Sequence, residues 1–149
     1  MSKIAIVGAG LVGSTTAFAL MLGGTAEEIV LIDKIKEKAR GEALDLNHGT
    51  SFIQPVTIYA GDYPDCHGAD IIIITAGIPQ KPGQSRLELV EANKRIIRQV
   101  VESILNYNTE AILILTTNPV DIMSYVAWEA SELPASRVLG SGTVLDTSR

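Results

Sequence analysis

Basic residues, sulfur and long apolar runs are all scarce in this chain of 149 residues. Lys and Arg number 12 against 17 Asp and Glu, a formal net charge of −5 with a pI near 5.0. That balance offers no basic surface to a phosphate backbone, so nucleic acid is not an expected partner. Cys66 is the single cysteine. It excludes an internal disulfide and suits a reducing compartment, with the cytoplasm as the expected location. No stretch approaches the roughly 18 apolar residues of a membrane helix, so no membrane partner is expected. The apolar segments Ile4–Val7 and Ala17–Leu22 do not read as a secretory signal, because Gly8, Gly10, Gly13 and the triplet Ser14-Thr15-Thr16 interrupt them. With 46% hydrophobic residues the chain can bury one core, and residues 1–149 read as one domain.

What the chain does have is an alternation of short β-branched runs with longer amphipathic stretches, the pattern of βαβ units around a parallel sheet. Six strands are predicted: Lys3–Val7, Glu28–Asp33, Val56–Ala60, Asp70–Thr75, Ala111–Thr116 and Arg137–Leu139. Ile71–Ile74 and Ile112–Leu115 are apolar without alternation, as expected of central strands covered by helices on both faces. A first helix is expected over Leu11–Leu22, ending at Gly23-Gly24 in a left-handed cap. A second spans Lys34 to Asn47, with Ile35, Ala39, Ala43 and Leu46 on one side. A third follows the capping box of Ser85 and Glu88 and runs to about Tyr107, its apolar face carrying Val90, Ile97, Val101 and Ile104. A fourth follows Asn118-Pro119, with Pro119 suited to a first helical turn.

Gly8-Ala9-Gly10-Leu11-Val12-Gly13 is a G-x-G-x-x-G between a predicted strand and a predicted helix, the context that gives the motif its meaning. Gly8 suits a tight turn, Gly10 a close approach of pyrophosphate, and Gly13 close helix–strand packing. The helix start then presents free N–H groups and partial positive charge to an anion. Asp33 lies twenty residues beyond Gly13, at the end of the second predicted strand, where a carboxylate accepts from a ribose diol. This favours NAD over NADP, with Lys34 and Lys36 beside it leaving the alternative open. The fold expected is a doubly wound Rossmann sheet with helices on both faces.

Three further segments carry a resemblance: Ala76-Gly77-Ile78-Pro79-Gln80-Lys81-Pro82-Gly83-Gln84-Ser85-Arg86, Thr117-Asn118-Pro119-Val120-Asp121, and the run from Gly140 to Arg149 that contains Val144-Leu145-Asp146. With Asp45-Leu46-Asn47-His48-Gly49 they resemble the L-lactate and malate dehydrogenase family, closest to the NAD-binding amino-terminal domain of its lactate branch. The resemblance implies cofactor contacts from Thr75, Ala76, Gly77 and Asn118. It implies that Arg86, on a closing loop, polarises the substrate carbonyl, that Asn118 hydrogen-bonds substrate, and that Arg149 grips its carboxylate through a bidentate pair. Asp146 matches the residue that orients a catalytic histidine, and that histidine lies in the family beyond the segment matching Arg149, in a second domain.

Gln80 stands where malate enzymes of the family carry an arginine, so the resemblance implies pyruvate and L-lactate, a small 2-oxo and 2-hydroxy acid pair. A neutral amide cannot compensate a second substrate carboxylate. It implies a homo-oligomer as well. His48 and His67 read as structural or surface residues, and the sequence is expected to be the cofactor half of a dehydrogenase, ending after Arg149. The alternatives are a dinucleotide-binding module without catalysis and a malate or other 2-hydroxy acid enzyme. Asp62, Asp65, Cys66 and His67 bring metal-ligand types together without the spaced pairs of a zinc site, and read as a polar loop.

Overall fold

The computed structural model describes residues 2–80, 82–83, 85–142 and 144–147. Its strands are β1 (Lys3–Val7), β2 (Glu28–Ile32), β3 (Thr57–Gly61), β4 (Ile71–Ile74), β5 (Ile112–Leu115) and β6 (Val138–Gly140). Its helices are α1 (Leu11–Gly23), α2 (Lys36–Gly49), α3 (Arg86–Leu105), α4 (Val120–Ser131) and the short α5 (Val144–Thr147). The strands form one parallel sheet of six in the order β3-β2-β1-β4-β5-β6. The order reverses between β1 and β4, where neighbouring connections leave in opposite directions and open a crevice at the carboxyl edge.

Alternate residues of each strand point to opposite faces, which divides the core in two. Ala5, Val30, Ile72, Ile74, Leu113 and Leu115 meet Ile97, Val101 and Ile104 of α3 and Met123 and Val126 of α4. On the other face Ile4, Ile6, Ile29 and Leu31 meet Ala17 and Met21 of α1 and Ala39, Ala43 and Leu46 of α2. Small alanines on α1 and α2 let those helices sit close to a sheet already crowded with isoleucine.

The structure corrects four local expectations. β2 stops at Ile32, because Asp33 turns its carboxylate onto the N–H of Ile35 and takes the chain out of the ladder. α2 starts later than expected, at Lys36, and Ile35 caps it with 52% of its surface exposed instead of joining the apolar side. α4 begins at Val120, after Asn118-Pro119 as expected, but Pro119 is its cap residue in extended backbone and not part of the first turn. Finally, the second face of β5 is only partly covered. Ile114 packs against the edge of the layer beneath α1 and α2 and is half-buried, while Ile112 is 36% exposed and Leu139, paired with Ile114 on β6, is 46% exposed. The left-handed cap expected of α1 falls on Gly24, with φ 59°, and its N–H donates to the Met21 carbonyl.

A polar cluster staples the start of the first three strands. Tyr59 donates its hydroxyl to Glu28 at 2.7 Å, and Lys3 pairs with the same carboxylate at 3.1 Å. The Tyr59 hydrogen bond is the main cause that holds the Glu28 carboxyl below its ordinary range. A lowered folded-state value contributes stability above the unfolded pKa and loses it as pH falls through the folded one. The Glu28→Gln variant should therefore show a shallower fall of melting temperature with acid than the parent. In the same measurement Ile72→Ala, at a fully buried central position, should cost about 2–5 kcal/mol. Gly41→Ala, exposed within α2 with nothing within 4 Å of where its Cβ would stand, should gain about 0.5–1 kcal/mol.

Candidate functional site

The glycine loop leaves β1 at the reversal point of the sheet, and its three glycines do different work. Gly8 has φ 112°, a conformation L side chains rarely adopt, and a Cβ there would meet Thr75 Oγ1 at 2.6 Å. A Cβ on Gly13 would fall on the Gly8 carbonyl oxygen, so α1 packs against the loop backbone itself. At Gly10 the nearest atom to such a Cβ is Lys38 Nζ, 3.8 Å away. The fold thus requires the absence of a side chain at Gly8 and Gly13 but makes no use of it at Gly10, where a Cβ at the helix start would touch only the flexible end of Lys38.

α1 has no side-chain cap. Gly10 precedes it in extended backbone, and its first internal bond runs from the Ser14 N–H to the Gly10 carbonyl at 2.9 Å. The N–H groups of Leu11, Val12 and Gly13 precede that bond and point out of the helix end. Leu11 and Val12 are 89% and 57% exposed. Backbone donors, a helix dipole and an open cradle together suit a pyrophosphate.

Asp33 sits at the end of β2, next to this loop. One carboxylate oxygen accepts from the Ala9 N–H at 2.8 Å and the other from the Ile35 N–H at 2.9 Å. Each oxygen keeps a second lone pair, so the residue can position the glycine loop and still accept from a hydroxyl. Of the two cations named beside it from sequence, Lys36 is paired with Asp62 at 2.6 Å. Lys38, which the sequence pattern does not single out, is the one brought to the glycine loop; its only signal is its place early in the helix that follows Asp33.

Across the reversal point, Thr75 donates its hydroxyl to the Gly8 carbonyl at 2.6 Å. That donor is spent on the loop, which makes Thr75 a clamp between β1 and β4. Ala76 accepts from Thr117 Oγ1 at 2.8 Å, and a Cβ on the exposed Gly77 would lie 2.5 Å from Thr117 Cγ2. Asn118 is exposed at the end of β5, joined to Pro119 by a cis peptide, and its carbonyl accepts from Asn93 at 3.0 Å. Both Asn93 and Thr117 are buried. Asn93 was missed from sequence because a single polar residue inside an apolar helical pattern carries no periodic signal, and Thr117 stands in a quoted segment that gave no sign of its bond to Ala76.

Gln80 and Arg86 are exposed, Arg86 at the first position of α3 behind the Ser85 and Glu88 capping box. Arg149 and the Asp146 side chain lie outside the described residues. His48 lies in the last turn of α2 and His67 precedes β4, both toward the amino edge of the sheet, opposite the glycine loop. The Asp62 and Asp65 carboxylates close a capping box around Tyr63-Pro64. Cys66 is buried, and burial pushes its thiol up to about 12, which leaves it inert as a nucleophile or ligand.

An anion cradle and a hydroxyl acceptor at the switch point of such a sheet define an α/β dinucleotide-binding domain. The model of the lactate/malate dehydrogenase NAD-binding domain matches residues 2–140. The chain is 56% identical to L-lactate dehydrogenase of Thermoanaerobacterium saccharolyticum over 149 residues, covering all of this chain and 48% of that protein. It is 55% identical to L-lactate dehydrogenase 1 of Clostridium acetobutylicum, covering 99% of this chain and 47% of that one. The crystal structure of MGS-M5, a lactate dehydrogenase from a Medee basin deep-sea metagenome library, superimposes with a TM-score of 0.94 at 49% identity, over 99% of this chain and 47% of that one. The chain belongs to the lactate/malate dehydrogenase family and is its NAD-binding domain. It spans about half the length of the curated relatives it matches. No helix among the described residues is long and apolar enough to cross a membrane.

The division among the glycines sets a direct expectation. Gly13→Ala should lower the melting temperature sharply or prevent folding, whereas Gly10→Ala should leave stability within about 0.5 kcal/mol of the parent. Thermal unfolding followed by circular dichroism separates the two.

Proposed function

We propose that residues 1–149 form one domain that holds NAD(H) for hydride transfer between NADH and pyruvate, giving L-lactate. The observation that carries the reading is Gly10: a glycine the fold does not need, placed where three backbone N–H groups emerge from α1. The amides of Leu11, Val12 and Gly13 bind pyrophosphate, and Asp33 accepts from the adenosine ribose. Ala76, Gly77 and Asn118 border the nicotinamide, which supplies the hydride when bound, while Thr75 holds the loop beneath it.

Arg86 polarises the carbonyl as charge develops on its oxygen, Asn118 hydrogen-bonds substrate, and Arg149 pairs with the substrate carboxylate. Asp146 orients a histidine that belongs to the half of the relatives this chain does not span. Gln80 favours pyruvate over oxaloacetate, whose second carboxylate would find no cation there. The lactate dehydrogenase names of the relatives support the same substrate pair. Assembly as a homo-oligomer in the cytoplasm completes the proposal, the first resting on the family resemblance and the second on a chain with one thiol.

Titration with NADH and NADPH by calorimetry should give tighter binding of NADH, because the 2′-phosphate meets the Asp33 carboxylate; equal affinities would remove Asp33 from its role. Gly10→Val should abolish binding while the chain stays folded. In an assay of NADH absorbance with pyruvate, the chain alone should show no turnover, since a proton donor is worth about 10²–10⁴-fold and both histidines lie at the opposite edge. Activity should appear on mixing with a separately expressed carboxyl-terminal half of a relative. Turnover by the chain alone would place a proton donor among its own residues.

A further inference from the structure

We propose that Asn93 is a positioning residue for the nicotinamide end of the site, an inference that rests on the reading of that crevice given above. Asn93 lies two turns into α3 with 1% of its surface exposed. A buried amide costs free energy unless its polar atoms are partnered, and asparagine favours a helix interior less than leucine does. An apolar residue of similar size would fill the space at less cost. What the amide adds is a set of bonds to two loops: Oδ1 accepts from the Ile78 N–H at 2.9 Å, while Nδ2 donates to the Asn118 carbonyl at 3.0 Å and to the Ile78 carbonyl at 3.4 Å.

These two loops leave β4 and β5 on the side of the reversal point away from Asp33. If the ribose next to Asp33 marks the adenosine half, the nicotinamide half falls on the β4 and β5 side. Neither loop is held there by strand pairing, because both ladders end below them, at Ile74 and Leu115. Asn93 ties the backbone of one to the backbone of the other from beneath. Thr117 reinforces the tie by donating to the Ala76 carbonyl. Asn93 does not itself face the crevice; it sets where Gly77, Ile78 and Asn118 stand.

The position acts on one end of an extended ligand, and this separates it from a residue that merely stabilises the fold. ADP-ribose carries the adenosine, pyrophosphate and second ribose of the cofactor without the nicotinamide. Asn93→Asp keeps the shape of the side chain and its acceptance from Ile78 but loses both donations; Asn93→Leu keeps volume alone. NADH and ADP-ribose are titrated by calorimetry against the parent and both variants, with bound-NADH fluorescence as a second readout. The expected result is a preference for NADH over ADP-ribose in the parent and a loss of NADH affinity of roughly fivefold or more in each variant, with ADP-ribose affinity held within about twofold. Bound-NADH fluorescence should shift in the variants. If NADH and ADP-ribose bind the parent equally, the reading of these loops as the nicotinamide end fails. If the parent prefers NADH and a variant keeps that preference, or loses both ligands together, the positioning role of Asn93 is overturned while the cofactor site stands.

Discussion

The contact between Gly13 and the carbonyl of Gly8 governs the geometry of this domain. With no room for even a methyl group, α1 is held so close to the end of β1 that its first turn becomes part of the loop it follows. The Thr75 hydroxyl closes the same carbonyl from the β4 side. One backbone oxygen therefore sets the relation of a strand, a helix and the strand across the reversal point. The direction in which the α1 amides point follows from that relation, because the amides are rigid parts of the helix and the helix has one seat.

Below this junction the stabilising forces are of a different kind. Two apolar layers, one beneath α3 and α4 and the other beneath α1 and α2, fix the sheet without specifying its carboxyl edge. At that edge polar groups take over: Asp33 on Ala9, Thr117 on Ala76, Asn93 on Ile78 and Asn118. Hydrophobic burial is non-directional and tolerates small shifts, whereas hydrogen bonds of 2.6–3.0 Å to a particular carbonyl or N–H do not. A sheet built by the first and finished by the second has a firm scaffold and defined loops at the place where a ligand is read.

The same division explains how far the sequence could be read. Strands and helices were legible because periodicity and β-branched runs are themselves statements about burial, and the tight turn at Gly8 and the close helix packing at Gly13 were legible because those residue types are forced by backbone approach. Element ends were less so: Asp33 leaves the sheet one residue early through its own side chain, and Ile35 stays exposed despite a helical spacing that fits. The partial cover over one face of β5 was invisible, since an isoleucine run looks the same whether a face is fully or partly packed. Asn93 and Lys38 were invisible for the opposite reason. Their meaning lies in partners fifteen or more residues away, or in a loop across the crevice, and nothing local marks them.

If Asp33 meets the adenosine ribose as proposed, it also constrains how this lineage can change its cofactor. A route to NADP would then begin, in chemical terms, by removing the carboxylate that would repel a 2′-phosphate. Here the same carboxylate anchors the Ala9 N–H at the heart of the glycine loop and the Ile35 N–H ahead of α2. Its loss would release two backbone donors at once, one of them next to the pyrophosphate cradle. A replacement must supply an acceptor for Ala9 before it can favour the new ligand, so the first mutational step is epistatic with a second. On the proposed role of Asp33, adenosine selectivity and loop order are inherited together.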